Sequence, residues 1–429
     1  MNGASAARFA SVRDAIHRRC FAPARVPSHD VGAEIELLAL DSASNRPIPL
    51  IGGRRSLIAL LRQRASSLGW REVAAYGPVP RFEIPGHAVV SFEPGGQLEI
   101  STAVHRSVTA LTAQLRAIVP PLVASLAADG VRLVAVGIDP VNDARTIPQQ
   151  LPTSRYERMT EYFDSRGPFG VRMMRQTAAI QVSLERGAEP ASRWRLLNDL
   201  APYVTAIFAN SPRYLGVETG HVSYRAHCWR MLDPLRTGVA ARDADPATAY
   251  ARFALDAPDM LRQDADGAYH AFGAWPEDDT RAARWETHLT TLFPEVRPRG
   301  HFEVRSCDAI DPVLYAAPVL FLYGLAYDRH AAHEAAILAA DSSSMLRPAG
   351  HRGLNDASIA RTARDLFQLA LAGARRLGDG FVGALDIEVA EHYYAKYTAR
   401  DRSPADDSQR WDPTATVGMA RELMPAPPA

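Results

Sequence analysis

Carboxylate side chains recur on one face of several strand-like segments in this sequence of 429 residues. Residues two apart share a face of a β-strand, so Glu34 and Glu36 point in the same direction. By the same spacing Glu303 and Arg305 share a face of a later strand, and Glu99 lies on the polar face of another. Carboxylates gathered on one face repel one another unless cations lie between them. The pattern therefore predicts a metal site, provided that these strands are neighbours in one sheet.

The residue types indicate which metal such a site would bind. Oxygen-rich clusters without histidine or cysteine suit Mg²⁺, which commonly binds through carboxylates, water and the phosphates of a nucleotide. Glu93 and Glu99 flank the turn Pro94-Gly95-Gly96, which would bring both carboxylates to one end of the sheet. We expect a type II turn, with Gly95 supplying the positive φ at its third position. The alternative interpretation is a sheet whose polar face lies in water, since alternation alone produces the same pattern.

Arginine is the cation available for binding anions, because Lys396 is the only lysine. Its planar guanidinium pairs with carboxylates and phosphates in a bidentate way. Most arginines in such a chain are expected to be ordinary surface charge. Arg305 is the exception, because it shares a strand face with Glu303. Further arginines stand near the candidate strands or at the starts of segments, namely Arg155, Arg225, Arg236 and Arg297.

The elements that must position these residues are predicted from hydrophobic periodicity. Strands are expected at 33–40, 81–84, 88–93, 97–102, 132–136, 177–184 and 301–306, and helices at 108–127, 191–209, 312–339 and 355–375. Strands and helices do not alternate regularly, which argues against a doubly wound parallel sheet and favours an α+β fold. We expect an antiparallel or mixed sheet with helices on one face. No linker divides the chain, so a single domain spanning 1–429 is predicted, with a short helix at its end.

Composition narrows the class of protein. The 48 basic and 48 acidic residues cancel, which argues against a nucleic-acid binder. The most apolar long run, 313–327, is too short for a bilayer span and contains Pro318, so no membrane partner is expected. Three cysteines are too few for a disulfide framework, which favours a reducing cytoplasm. Neither a GxxxxGK[ST] phosphate loop nor a Gly-x-Ser-x-Gly nucleophile elbow occurs.

Several stretches, taken in chain order, resemble glutamate–cysteine ligases of the plant and proteobacterial type. They are also similar to the actinobacterial glutamate–cysteine ligase of ergothioneine biosynthesis. The most specific are EPGGQLEIS at 93–101, HLTTLFPEVR at 288–297 and EVR at 303–305. Weaker matches are GAEIE at 32–36, RAHCW at 225–229 and RTG at 236–238. The resemblance runs from about residue 30 to residue 405, and so covers most of the chain.

This resemblance implies a fold related to glutamine synthetase, in which a curved antiparallel sheet forms a funnel with helices on its outer face. It implies ATP-dependent ligation of the glutamate γ-carboxylate to the cysteine amine through γ-glutamyl phosphate, for glutathione or ergothioneine synthesis. The Mg²⁺ ligands would be Glu34, Glu36, Glu93, Glu99 and Glu303. Arg305 would contact phosphate and act with Glu303 in catalysis. Candidates for binding substrate or nucleotide are Arg155, Tyr156, Gln181, Arg225, Arg236, Arg297 and Arg305.

The sequence also departs from the family pattern. The plant enzymes carry an arginine five residues before the strand glutamine, whereas Gln176 stands there, before Gln181. The actinobacterial relatives also lack this arginine, but RAHCW and Glu295 look more plant-like, so both pathways remain open. Two other functions also remain open: a carboxylate–amine ligase that uses another amine, and a non-catalytic nucleotide-binding relative. The expected partners are small-molecule substrates, and the oligomeric state is open.

Overall fold

The computed structural model describes residues 3–26, 28–240, 243, 245–276, 278 and 280–407, with side chains from residue 9 onwards. The strands in these ranges are β1 Val31–Asp41, β2 Arg71–Tyr76, β3 Val79–Ile84, β4 Ala88–Phe92, β5 Leu98–Ser101, β6 Val131–Val134, β7 Ala179–Leu184, β8 Arg213–Tyr214, β9 Val217–Glu218, β10 Thr237–Gly238, β11 Phe293–Pro294, β12 Val296–Pro298 and β13 Phe302–Asp308. The predicted C-terminal helix lies outside the described residues.

The α-helices cluster mainly in the second half of the described chain. They are α1 Gly3–Ile16, α2 Leu57–Ala65, α3 Val108–Ala127, α4 Ser154–Asp164, α5 Phe169–Gln176, α6 Pro190–Ile207, α7 Tyr224–Leu232, α8 Pro246–Asp256, α9 Arg281–Leu289, α10 Ala316–Tyr327, α11 Arg329–Leu338, α12 Leu346–His351, α13 Ala357–Leu377 and α14 Ala384–Lys396.

One large antiparallel sheet organises the described structure. Its strands follow the order β12-β13-β7-β1-β5-β4-β3-β2, and β6 pairs with the second half of β1. In the register of β1 with β5, Glu36 lies opposite Glu99, and in that of β1 with β7, Glu34 lies opposite Gln181. All seven strands predicted from the sequence are present, and the strands with polar faces are neighbours.

The other face of the sheet is apolar and covered by helices. Ile35 and Leu37 alternate with the β1 glutamates and are at most 1% exposed, as are Ile100 and Val182 on the neighbouring strands. Full burial of such a side chain contributes about 1.5–3 kcal/mol. The helices α3 and α10 pack against β1 and β7, respectively, and α6 packs against the neighbouring β12 and β13. The predicted helical layer is therefore confirmed, and four further helices (α4, α5, α7 and α9) border the polar side.

The predicted helix at 312–339 is in fact two helices, α10 and α11. The chain leaves helical geometry at Asp328 (φ −81°, ψ 120°), whose side chain accepts a hydrogen bond from the amide of Ala331. This carboxylate caps the start of α11, a local interaction that apolar periodicity does not reveal. The other three predicted helices agree with α3, α6 and α13 to within two residues.

One described helix, α3, is long and apolar enough to span a bilayer by length and composition. Eight of its residues are buried, and it packs against β1, β6 and α10. In this structure it is therefore a core helix under the sheet.

Candidate active site

A cavity of about 840 Å³ opens on the polar face of the sheet. This volume lies in the range of small-molecule sites. The sheet supplies its floor, and residues of α4, α5, α7 and α9 contribute to its walls. Ten of the residues predicted from the sequence line it: Glu34, Glu36, Glu93, Glu99, Arg155, Tyr156, Gln181, Arg225, Arg297 and Arg305.

Three of the predicted metal ligands converge in this cavity. Glu36, Glu93 and Glu99 each offer a carboxylate oxygen, and these oxygens lie within 4.8 Å of one another. Burial, followed by the charge of a neighbouring carboxylate, raises the pKa of each to about 7. The same causes raise the pKa of Glu34, beside them in the cavity, to about 7. Such a group favours a bound dication, and its all-oxygen donors fit Mg²⁺.

Hydrogen bonds fix the orientation of two of these carboxylates. The amide of Ala179 and the side-chain Nε2 of Gln181 donate to Glu36, at 2.8 and 2.9 Å. The hydroxyl of Ser91 donates to Glu99 at 2.8 Å. The Oε1 of Gln181 is buried and has no hydrogen-bond partner in the described structure. Since buried polar atoms are normally satisfied, this oxygen points to a ligand that completes the site.

The turn after β4 positions Glu93, but it is not the predicted type II turn. The positive φ falls on Gly96 (+89°) and not on Gly95. The amide of Gly96 donates to the carbonyl of Glu93, and the amide of Glu93 donates to the carbonyl of Gln97. Gly95 is required for a different reason, because a Cβ there would overlap the backbone carbonyl of Arg175. The turn is thus pressed against the end of α5.

Glu303 lies among arginines and not in the carboxylate cluster. Arg297 donates to it from Nε and Nη2, at 3.1 and 2.8 Å, and Arg305 donates from Nη1 at 2.5 Å. The Nη1 of Arg299 lies 3.5 Å from the Oε2 of Glu303 and adds a third positive charge. Burial opposes ionisation of Glu303, but the charges of Arg297 and Arg305 outweigh it and hold its pKa at about 2. The ligand role of Glu303 stays a prediction.

Trp229 joins two of the cavity arginines. The guanidinium carbons of Arg225 and Arg305 lie 5.0 and 5.3 Å from the centroid of the Trp229 rings. The indole Nε1 donates to the carbonyl of Phe293 at 2.9 Å, which fixes the ring. Both guanidinium Nε atoms are buried without a partner among the described residues. The candidate site residues predicted from the sequence did not include Trp229. Its spacing of four residues from Arg225 could have indicated it, because residues four apart share a face of a helix.

Arg155 and Tyr156 lie together at the start of α4, as predicted. Arg155 donates to the hydroxyl and the carbonyl of Thr290, at 3.2 and 3.1 Å. Its guanidinium carbon lies 4.8 Å from the ring centroid of Tyr156. Arg299, which the sequence-based set omitted, also lines the cavity. Its place just before the strand that carries Glu303 was the available signal.

The structure corrects the prediction that Arg236 binds substrate or nucleotide, because Arg236 does not line the cavity. Its side chain is fully buried and pairs with Asp233 at 2.8 Å. The two terminal nitrogens donate to the carbonyls of Thr291 and Pro258, at 2.9 and 2.6 Å. The guanidinium also stacks on the ring of Tyr162 at 4.8 Å. With these partners Arg236 cross-links the wall behind the site and is not a substrate contact.

Comparisons with known proteins identify the family. The model of the glutamate–cysteine ligase family 2 (GCS2) matches residues 30–369. The chain is 33% identical over 375 residues to glutamate–cysteine ligase EgtA of Mycolicibacterium smegmatis. This match covers 82% of this chain and 85% of that protein. It is 29% identical over 384 residues to the chloroplastic glutamate–cysteine ligase of Medicago truncatula. This match covers 83% of this chain and 74% of that protein.

The fold is also similar to that of a solved enzyme. The glutamate–cysteine ligase of Francisella tularensis in complex with AMP superposes with a TM-score of 0.50 at 13% identity, covering 90% of this chain and 84% of that one. The predicted fold class, an α+β structure of the glutamine synthetase-like type, is confirmed. Because the family model spans most of the sequence and a relative above 30% identity covers most of it, the chain belongs to glutamate–cysteine ligase family 2, a family of ligases.

Proposed function

We propose that the chain joins the γ-carboxylate of glutamate to the amine of L-cysteine, with ATP as phosphoryl donor, Mg²⁺ bound and γ-glutamyl phosphate as the intermediate. The observation that carries the proposal is one cavity whose lining holds both a group of converging carboxylates and several arginines. This arrangement suits a metal–nucleotide complex, because the metal and the arginines both contact phosphate. The names of the relatives support the choice of substrates.

Glu36, Glu93 and Glu99 would hold Mg²⁺, with Glu34 beside them. Their pKa values of about 7 mean that the site binds protons when no cation is present and releases them to one. Mg²⁺ held by these carboxylates would offset the negative charge of the ATP phosphates. Glu303, which the arginines keep ionised, would set the position of Arg305.

The protein's task in the first step is to orient two anions and stabilise the charge that passes between them. A free carboxylate acylates poorly, because its leaving group would be oxide, whereas an acyl phosphate releases phosphate. Arg305 would donate to the transferring phosphoryl group, and the absence of a partner for its buried Nε in the described structure supports this role. Arg155, Tyr156, Arg225 and Arg297 would bind carboxylates or phosphates of the substrates.

The glutamate carboxylate is itself the nucleophile, so no protein nucleophile is required. The cysteines agree with this. Cys20, Cys228 and Cys307 are buried thiols. Burial raises the pKa of Cys20 to about 11 and that of Cys228 to about 12, so neither is activated for attack. Free thiols also support a reducing compartment, and we place the reaction in the cytoplasm, supplying γ-glutamylcysteine for glutathione or ergothioneine synthesis.

The test is release of ADP from the purified chain with glutamate, Mg-ATP and a panel of amines, with the product identified by mass spectrometry. Release with cysteine alone, together with γ-glutamylcysteine, is the expected result. Release with a different amine alone would assign the chain to another carboxylate–amine ligation. No ADP with any amine would refute both ligase functions and leave the non-catalytic interpretation.

A further inference from the structure

A second cavity lies across α7 from the active site. Helix α7 presents Arg225 and Trp229 to the active-site cavity. The same helix presents His227 and Arg230 to a separate cavity of about 540 Å³, whose other wall is formed around α12. Side chains three or four apart share a face of a helix, so these pairs occupy two different faces. The second cavity is therefore distinct from the site described above.

The lining of this cavity is basic. Of the eleven described residues that line it, six are histidine or arginine and none is aspartate or glutamate. The six are His221, His227, Arg230, Arg347, His351 and Arg352. They come from the loop before α7, from α7 itself and from the segment that includes α12. Cationic and protonatable side chains from three parts of the chain therefore face one concave space.

The three imidazoles lie against one another. The ring centroid of His221 is 4.3 Å from that of His227 and 4.9 Å from that of His351. Burial, followed by the neighbouring His221 and Arg347, lowers the pKa of His227 to about 4. All the causes of this shift act in the same direction, and no carboxylate is among them. Burial and the neighbouring cationic groups thus both disfavour protonation of this ring.

Carboxylates that do not line the cavity partly neutralise two of the arginines. Arg230 pairs with the buried Glu295 at 2.8 Å, and Arg352 pairs with Asp356 at 2.5 Å. Neither carboxylate lines the cavity. The Nε of Arg230 is buried and has no hydrogen-bond partner within the described ranges. The carboxylates therefore hold these two arginines in place at the cavity lining.

The geometry favours an anion over a metal ion. Among the described residues, the only group of three histidine, cysteine or carboxylate side chains with ligand atoms within 4.8 Å is that of Glu36, Glu93 and Glu99. The three imidazoles therefore do not converge on one point, as a tetrahedral metal site requires. A cation would also be repelled by Arg347. An oxyanion would satisfy the guanidinium donors and favour the protonated form of His227, whose pKa is lowered.

We propose that this cavity between α7 and α12 binds a small oxyanion that carries two or more negative charges. Phosphate and carboxylate groups share this chemistry. The proposal is independent of the ligase reaction, because it concerns another face of α7 and is tested by binding alone.

The test is isothermal titration calorimetry of the full chain with inorganic pyrophosphate and, separately, with citrate, without metal or nucleotide. The pocket variant is Arg347→Ser with His351→Ala. Both side chains are exposed, so the fold should survive, as a thermal melt would check. The matched control is Arg361→Ser with His392→Ala, which removes the same two residue types from exposed positions on α13 and α14.

We expect one anion to bind the wild type and the control, and the pocket variant to bind at least about tenfold more weakly. Tighter binding of pyrophosphate would indicate a phosphate ligand, and tighter binding of citrate a carboxylate ligand. The measured enthalpy should also depend on the buffer's ionisation enthalpy, because His227 should take up a proton on binding. Absence of binding by both anions, or equal affinity in the pocket variant and the control, would overturn the proposal.

Discussion

Glu36 on β1 and Glu99 on β5 lie opposite each other across an antiparallel strand pair, on the same face of the sheet. Like charges at such positions destabilise a sheet. Here Glu93 adds a third carboxylate at the end of β4. The fold therefore holds together groups that disfavour one another unless a cation binds, and the next two predictions follow from this conflict.

The first prediction concerns pH and Mg²⁺. The pKa of Glu36 and of Glu99 is about 7 in the folded chain, against an ordinary 4.5. The folded state thus binds more protons than the unfolded state between about pH 4.5 and 7, and these groups lower the free energy of unfolding as pH rises through that window. Mg²⁺ competes with these protons, so its stabilisation should grow over the same window. Urea denaturation at several pH values, with and without Mg²⁺, measures both effects.

The control for this experiment is Glu99→Gln, which should flatten the pH dependence of the Mg²⁺ effect. Glu303 does not contribute to the change in the free energy of unfolding between pH 4.5 and 7. Its pKa is depressed, so its stabilising effect is already complete above pH 4.5. A Mg²⁺ stabilisation that is the same at pH 5 and pH 8 would contradict the assignment of the metal site.

The second prediction separates the two groups of acids. Glu93→Gln removes a proposed Mg²⁺ ligand, so turnover should fall by roughly 10²-fold or more. Because it also removes a like charge from the cluster, the metal-free chain should stay folded. Glu303→Gln should also abolish turnover, but it leaves Arg297 and Arg305 without their counter-ion. Loss of one partner of a buried pair costs about 3–5 kcal/mol, so this variant should melt earlier yet keep its circular dichroism spectrum.

Glu83→Gln is the matched control, since Glu83 lies on the same sheet at β3 and pairs with surface arginines. Its activity should be close to that of the wild type. Near-normal turnover of Glu303→Gln would remove Glu303 from the catalytic set.

The strand faces were predictable from the sequence because the period of two places Glu34 and Glu36 together whatever the register. The register itself could not be predicted, since it depends on which strands pair. Arg236 was misplaced because a motif match says nothing about burial. The aspartate three residues earlier, Asp233, was the local sign of an ion pair. Trp229 escaped notice because its role depends on two arginines from separate elements.

The third prediction is that Trp229 positions Arg225 and Arg305. Cation–π contacts are worth about 0.5–2 kcal/mol each, so Trp229→Leu should lower kcat/KM by roughly tenfold or more, and Trp229→Phe by less. Binding of ATP should alter the emission of Trp229, because Arg305 turns to phosphate. The emission change should vanish in both variants and persist in Trp194→Phe, a buried tryptophan that donates to the carbonyl of Val296. A kcat/KM of Trp229→Leu close to that of the wild type would contradict the positioning role.

The fourth prediction distinguishes a structural arginine from a substrate contact. Arg236 is fully buried and pairs with Asp233, and it cross-links segments that lie far apart in the chain. Arg236→Ala leaves a buried carboxylate without its partner, so the free energy of unfolding should fall by about 3–5 kcal/mol. At a temperature where the variant stays folded, the KM values for glutamate and ATP should stay within about twofold of the wild type, because uniform substrate binding is not affected.

Arg155→Ala provides the contrast, since this side chain lines the cavity: KM should rise while stability changes little. A large rise in KM for Arg236→Ala at unchanged stability would return Arg236 to the substrate-binding set.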